Sequence, residues 1–284
     1  MPNFPITDSH VHLLNPHEIQ YSWLDDAPNF KRPWLLDDFN QATDQVQIEK
    51  IVFMEVCCDD HEVHREVEWV TGLAQKDPRI QGIIAGVKFE NRDTVEGVLE
   101  THAKNPLVKS VRRVTQELDI DFAIRPEFID GVRLLPKYNL LCDLCIHHPQ
   151  VSNITKLVDA CPDVRFVLDH IGKPDIRNQK FEPWKSDIQA LSERENVTCK
   201  ISGMVTEADW EQWVPGDFRP YLDVVFEAFG EDRLMYGSDW PVCRLGGEYG
   251  RIYRLVEEYV SQFSAEAQAK FFGGVASAFY GLKG

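Results

Sequence analysis

The sequence predicts an α/β protein, a single (β/α)₈ TIM barrel spanning residues 1–284. Three observations predict it. Eight short apolar runs recur at intervals of roughly 25–40 residues, enough for a strand, a helix and two loops. The segments between them carry apolar residues at helical spacing. The other fold built from this alternation, the doubly wound open sheet, usually has a Gly-rich turn after its first strand. Here His12 is followed by Leu13-Leu14-Asn15-Pro16, which cradles no phosphate.

The runs cover residues 6–12, 50–56, 80–87, 108–114, 139–147, 164–170, 197–202 and 233–239. The first intervening helix is expected over 61–76, with Val63, Val67, Val70 and Leu73 on one face and Asp77-Pro78 ending it. The next is expected over 91–104, with Val95, Val98 and Leu99 inward. A helix over 218–229 carries Leu222, Val225, Phe226 and Phe229, and Gly230 is its natural C-cap. A last helix over 264–280 starts from Ser264, a good N-cap residue.

Composition narrows the function. The net charge of -16 disfavours binding to nucleic acid or an anionic membrane. No stretch approaches the ~20 consecutive apolar residues of a membrane span. The N-terminus shows neither the basic nor the apolar part of a signal peptide. The seven cysteines are odd in number, and the lone Cys142/Cys145 pair lies in a strand-like run, where both thiols read as buried filler. A cytoplasmic enzyme with a small-molecule substrate is the expectation, and the oligomeric state is not readable.

A barrel enzyme builds its site at the C-terminal ends of its strands. Run one ends Asp8-Ser9-His10-Val11-His12, run six Val167-Leu168-Asp169-His170, run eight Tyr236-Gly237-Ser238-Asp239. Side chains alternate across a strand, so His10 and His12 share a face and can converge on one point. That point is a metal ion or a polarised carbonyl oxygen. Gly237 and Pro241 would hold the Asp239 carboxylate in place, as a general base requires. His10, His12, His170 and Asp239 are therefore the catalytic candidates.

Substrate-binding candidates surround them. Arg112 and Arg113 end run four, and one of them should point inward. Glu55 ends run two; Lys200 and Ser202 share a face at the end of run seven. His147 and His148 end run five, and only one can face inward. The aromatic segment from Tyr21 to Trp34 follows run one, so Trp23 belongs to a loop that either roofs the pocket or anchors onto the barrel. Trp240 stands beside Asp239. Two motifs are decoys. His61-Glu62-Val63-His64 is one residue short of HExxH, and Gly237-Ser238-Asp239 is no GxSxG elbow.

The set Thr7-Asp8-Ser9-His10-Val11-His12, Val167-Leu168-Asp169-His170-Ile171-Gly172-Lys173-Pro174, Lys200-Ile201-Ser202-Gly203 and Tyr236-Gly237-Ser238-Asp239-Trp240-Pro241 resembles the amidohydrolase superfamily. It is most similar to the amidohydrolase 2 branch, with its sugar-lactone hydrolases of the L-fuconolactonase and L-rhamnonolactonase type. The resemblance implies a distorted barrel of the amidohydrolase type and carries over His10, His12, His170 and Asp239. It also implies hydrolysis of an aldono-lactone to the aldonic acid by activated water. The superfamily's bridging lysine or glutamate at strand four is replaced by Arg112 and Arg113, which speaks against a two-metal centre. Whether one Zn²⁺ sits on His10, His12 and Asp239, or none, stays open. The alternatives are a metal-dependent decarboxylase of a muconate or aromatic acid and a hydrolase of a carboxylated aromatic-pathway lactone; these would need arginines in the pocket, from Arg112 or Arg113, Arg125 and Arg244. A non-catalytic barrel that binds a sugar acid is the remaining reading.

Overall fold

Every strand of the sheet pairs in parallel with the next one along the chain, in the order β1 to β8, in a computed structural model that describes residues 4–283. The strands are β1 (Ile6–Val11), β2 (Ile48–Met54), β3 (Ile80–Gly86), β4 (Val108–Val114), β5 (Leu141–Cys145), β6 (Phe166–Leu168), β7 (Val197–Ile201) and β8 (Leu234–Tyr236). The sheet closes through the chain beyond β8. Val11 bridges Trp240, Asp239 N–H donates to His10 O at 2.9 Å, and His12 N–H donates to Trp240 O at 2.7 Å. The result is the expected (β/α)₈ barrel, with helices packed around it.

Helices α1 (Leu36–Ala42), α2 (Val63–Ala74), α3 (Val95–Ala103), α4 (Pro126–Val132), α5 (Val151–Ala160), α6 (Trp184–Ser192), α7 (Pro215–Phe229) and α8 (Tyr249–Val260) follow the strands in turn. Gly230 ends α7 at φ 69°, as its position suggested. The C-terminal segment is less regular than one expected helix. It runs through α9 (Ala265–Ala269), a wide π turn (Lys270–Gly274) and α10 (Val275–Tyr280). Ser264 Oγ accepts from Ala267 N–H at 3.1 Å and caps the start.

Strands β5, β6 and β8 are shorter than expected at both ends, and the flanking backbone shows why. His170, Ile171, Gly172 and Lys173 have φ of 56°, 49°, 73° and 48°, a left-handed turn that cuts β6 at Leu168. Asp239 at φ 62° lies beyond β8. Asn139 takes a left-handed C-cap before β5, and His148–Gln150 coils after it. Left-handed backbone costs roughly 1–2 kcal/mol per non-glycine residue, so packing and hydrogen bonding must hold these turns.

The barrel interior is layered. At the bottom, Val52, Met54, Ile84, Val167 and Met235 pack on Val275, Ala276, Phe279 and Tyr280 of α10. Above this apolar plug the interior turns ionic. Lys200 Nζ, fully buried, lies 2.6 Å from Asp143 Oδ2 and 3.1 Å from Asp169 Oδ1. Tyr280 Oη and Ser110 Oγ also donate to Asp143. Arg112 continues the chain upward, with Nη1 3.2 Å from Asp169 Oδ2 and Nε 2.7 Å from Glu55 Oε1. A buried ion pair that loses one partner leaves an uncompensated charge. Lys200→Met is therefore expected to lower unfolding free energy by about 3–5 kcal/mol, read as a lower urea midpoint. An unchanged midpoint would show that the two carboxylates do not depend on this ammonium.

Candidate active site

Asp239 is the point on which the upper layer converges. Its Oδ1 lies 3.5 Å from His10 Nε2, 3.3 Å from His12 Nε2 and 3.9 Å from His170 Nε2. All four residues are buried at the strand C-termini. Burial pushes the Asp239 carboxyl up, but the neighbouring His170, His12 and His10 imidazoles outweigh it and hold the carboxyl below the usual range. It is a carboxylate at neutral pH. Burial lowers His10 well below the ordinary imidazole value and lowers His170 to about 4, despite the pull of nearby carboxylates.

The far sides of the rings fix which nitrogen carries hydrogen. His12 Nδ1 faces two backbone carbonyls, Met54 O and Glu55 O, each at 3.1 Å. Carbonyls only accept, so Nδ1 is the N–H and Nε2 carries a lone pair in the neutral ring. His10 Nδ1 stands 3.4 Å from Asp169 Oδ1, and neither of its nitrogens makes a well-formed hydrogen bond within the protein. Burial raises Asp169, but Lys200, His10 and Arg112 overcome this and keep it well below the usual range. His170 Nδ1 meets Ser202 Oγ at 2.9 Å. The His12 lone pair thus points at a carboxylate, an arrangement that a positive charge between them would satisfy. A metal cation satisfies it: His10, His170 and Asp239 offer ligand atoms all within 4.8 Å of one another. This set contains His170 where the sequence suggested His12, whose Nε2 reaches the same carboxylate oxygen.

Close approach requires two glycines. A Cβ at Gly203, whose φ is 58°, would collide with the His170 ring, and one at Gly237 would lie 2.8 Å from His10 Cβ. Asp8 braces the loop behind them. Its carboxylate accepts from Ser238 N–H at 2.8 Å and from Tyr249 Oη at 3.0 Å. Neither these roles nor those of Asp143, Asp169 and Lys200 were identified from sequence. The one local clue was parity: Val167 and Asp169 alternate into the barrel, as do Lys200 and Ser202.

The remaining candidates scatter around this centre. Arg112 points inward as one of the two arginines should, while Arg113 turns to Glu90 at 2.8 Å. Glu55 and Arg112 hold each other and form the floor of a cavity of about 570 Å³ under β2–β4 loops. Ser202 orients His170. Neither His147 nor His148 joins the centre. The chain leaves β5 at Cys145 and turns, so His147 Nε2 pairs with Glu117 at 3.0 Å, and both rings line a second cavity of about 410 Å³. Trp240 is fully buried and packs edge-on to Trp34 and Phe39, because alternation turns it outward when Asp239 faces in. It has no face for a ligand. Trp23 donates to Val56 O at 2.8 Å and packs on Phe30, so the aromatic segment anchors onto the barrel. Lys173 ends the left-handed turn and donates to Gln116 Oε1.

A parallel barrel with imidazoles and a carboxylate gathered at its strand ends defines the hydrolytic class of site that the sequence resemblance implied. Residues 7–282 match the amidohydrolase family, and the chain belongs to it. An L-fucono-1,5-lactonase from Burkholderia multivorans is 27% identical, with 97% of this chain and 95% of that protein aligned. An L-rhamnono-gamma-lactonase from Scheffersomyces stipitis is 22% identical over 86% of this chain and 88% of its own. A crystal structure of a Burkholderia multivorans amidohydrolase with bound zinc superposes with a TM-score of 0.85 at 26% identity, covering 98% of this chain and all of that one. The protein is a hydrolase of the amidohydrolase family. No helix among the described residues is long and apolar enough to cross a membrane.

The Asp8 brace is testable by pH. Burial, partly offset by the Ser238 and Tyr249 hydrogen bonds, raises its carboxyl from 3.8 to about 6. The folded protein therefore binds this proton more tightly than the unfolded chain. That stabilisation is complete below about pH 4 and is lost as pH rises through 6, a difference of about 3 kcal/mol. Asp8→Asn keeps an acceptor for Ser238 N–H without titrating. Its stability relative to the native chain should rise by up to that amount between pH 4 and 7 in urea titrations; a flat difference would contradict the assignment.

Proposed function

We propose that the protein hydrolyses a sugar lactone to the open-chain aldonic acid, using one barrel domain of residues 1–284 and Asp239 as its base. The observation that carries this reading is the convergence of three imidazoles on one ionised carboxylate at a barrel's strand ends. The names of the two lactonase relatives support the substrate class.

Asp239 takes a proton from a water that attacks the lactone carbonyl carbon. His10, His12 and His170 surround Asp239 and fix its carboxylate, and a cation held on these rings would meet the charge that develops on the carbonyl oxygen. The ring C–O bond then breaks, and the proton on Asp239 passes to the leaving alkoxide. No covalent intermediate is needed, because Asp239 can activate water directly, and burial raises the Cys57 and Cys145 thiols away from the reactive thiolate. His10, His12, His170 and Asp239 form a donor set that suits zinc, and the zinc in the Burkholderia structure supports that choice of ion. When bound, the ion would supply Lewis-acid polarisation of the carbonyl.

The arginines argue for a lactone without carboxylates. Each one that a carboxylated substrate would need already has a carboxylate partner: Arg112 with Glu55 and Asp169, Arg113 with Glu90, Arg125 with Asp119, Arg244 with Glu248. That leaves no guanidinium clamp for a muconate or aromatic acid.

The deciding experiment is acid release from a panel of aldono-lactones, followed with a pH indicator before and after a chelator. At least one lactone should turn over, and Asp239→Asn should lower kcat/KM by about 10²–10⁴-fold. A folded protein that opens none of them sinks the reading. Elemental analysis should find one zinc per chain, and zinc should raise the melting temperature of the chelated protein but not of His10→Ala. Equal thermal shifts in both would place the ion elsewhere.

A further inference from the structure

The left-handed turn after β6 does more than deliver His170. Three of its four residues are not glycine, and they still hold φ between 48° and 56°. Such backbone is kept where a site needs it. The turn ends on Lys173, whose ammonium takes no part in the ionic network beneath the site. Its hydrogen-bond partner is the neutral amide oxygen of Gln116. Among the described residues, no carboxylate lies within ion-pair distance of it. Lys88 and Arg113, which line the larger cavity, are by contrast paired with Asp60 and Glu90. Lys173 is nonetheless tied to the chemistry, because its backbone N–H donates to His170 O at 2.9 Å within the turn.

Lys173 opens onto the cavity of about 410 Å³ that also presents Gln116, His147, His148, Asp175 and Glu207. Glu207 receives only a long hydrogen bond, 3.3 Å from Thr206 Oγ1, so its lone pairs are open as well. One ammonium beside two carboxylates repels an anion. The same set suits neighbouring hydroxyls, which accept from the ammonium while donating to a carboxylate. The Lys173 ammonium gives one hydrogen bond, to Gln116, and has further N–H groups to offer a ligand hydroxyl.

We propose that this cavity is the hydroxyl-reading subsite for the proposed lactone reaction, with Lys173 and Glu207 gripping adjacent hydroxyls of a polyhydroxylated substrate. The lactone carbonyl sits at Asp239 and its hydroxylated carbons extend toward β5–β7. The cavity over β2–β4 is not the one that reads them. This rests on the lactonase reading, and the test separates the two.

The test compares kcat/KM for a hexono-1,5-lactone and for δ-valerolactone, the same ring without hydroxyls. The native enzyme should prefer the hydroxylated ring. Lys173→Met and Glu207→Gln should each lower kcat/KM for it by about 10–100-fold, the worth of a hydrogen bond to a charged group. Hydrolysis of δ-valerolactone should change less than about 3-fold, a value that a misfolded variant could not retain. Lys173→Arg should recover part of the preference, and Lys88→Met, in the other cavity, should leave both values unchanged. If Lys173→Met fails to fold, Glu207→Gln decides alone. A native enzyme that opens both lactones equally, or variants that lower both together, would overturn the subsite and leave the lactonase standing. A native enzyme inactive on both would instead remove the lactonase reading. A gain on a carboxylated lactone in Glu207→Gln, with no loss on the hydroxylated one, would assign Lys173 to an anion and overturn the proposal.

Discussion

Lys200 holds its ammonium in the middle of the barrel, fully buried, with two aspartates 2.6 and 3.1 Å away. Asp169 then shares its charge with Arg112 and faces His10, and Arg112 in turn holds Glu55. The geometry of the upper barrel depends on this chain of mutual compensation. Desolvating any one of these charges alone would cost several kcal/mol. Paired, they form a rigid ionic floor. Catalytic groups need such a floor, since small misplacements are expensive in rate.

The floor sets chemistry as well as position. With Asp169 beneath His10 and two carbonyls behind His12, both rings aim their Nε2 atoms at Asp239. Supporting partners that fix tautomer and orientation are how proteins tune imidazole sites. Burial keeps the His10 and His170 rings neutral while Asp239 stays ionised among them. A base that stays charged among neutral polar groups suits activation of water at neutral pH. The outer rim shows the opposite pattern, with Lys173 and Glu207 lacking strong partners. Rigid, satisfied charge below and open polar groups above is the division expected of an enzyme that holds its chemistry fixed and reads a small molecule at its edge.

Much of this was legible in the sequence, for local reasons. Strand and helix periodicities are properties of neighbouring residues, so all eight strands appeared within a few positions of their places. A residue at a strand end of a parallel barrel must lie near the rim, and that made His10, His12 and Asp239 visible. His170 was found by position, although parity alone would have turned it outward. Asp169 alternates inward there, and only the left-handed turn at φ 56° brings His170 back. The same limit explains His147, His148 and Trp240. One residue of parity, or one turn past a strand, reverses a side chain.

The sequence by itself determined the barrel and its chain order and pointed to four residues that converge at the candidate site, because those follow from spacing and strand position. Tertiary structure alone decided which charges are paired and which are free. Arg112 meets Glu55 and Asp169, each 57 residues away, and Asp8 braces Ser238 from 230 residues away. Such partnerships are set where the barrel closes and water is excluded. No local pattern announces that Arg112 is spent while Lys173 is not.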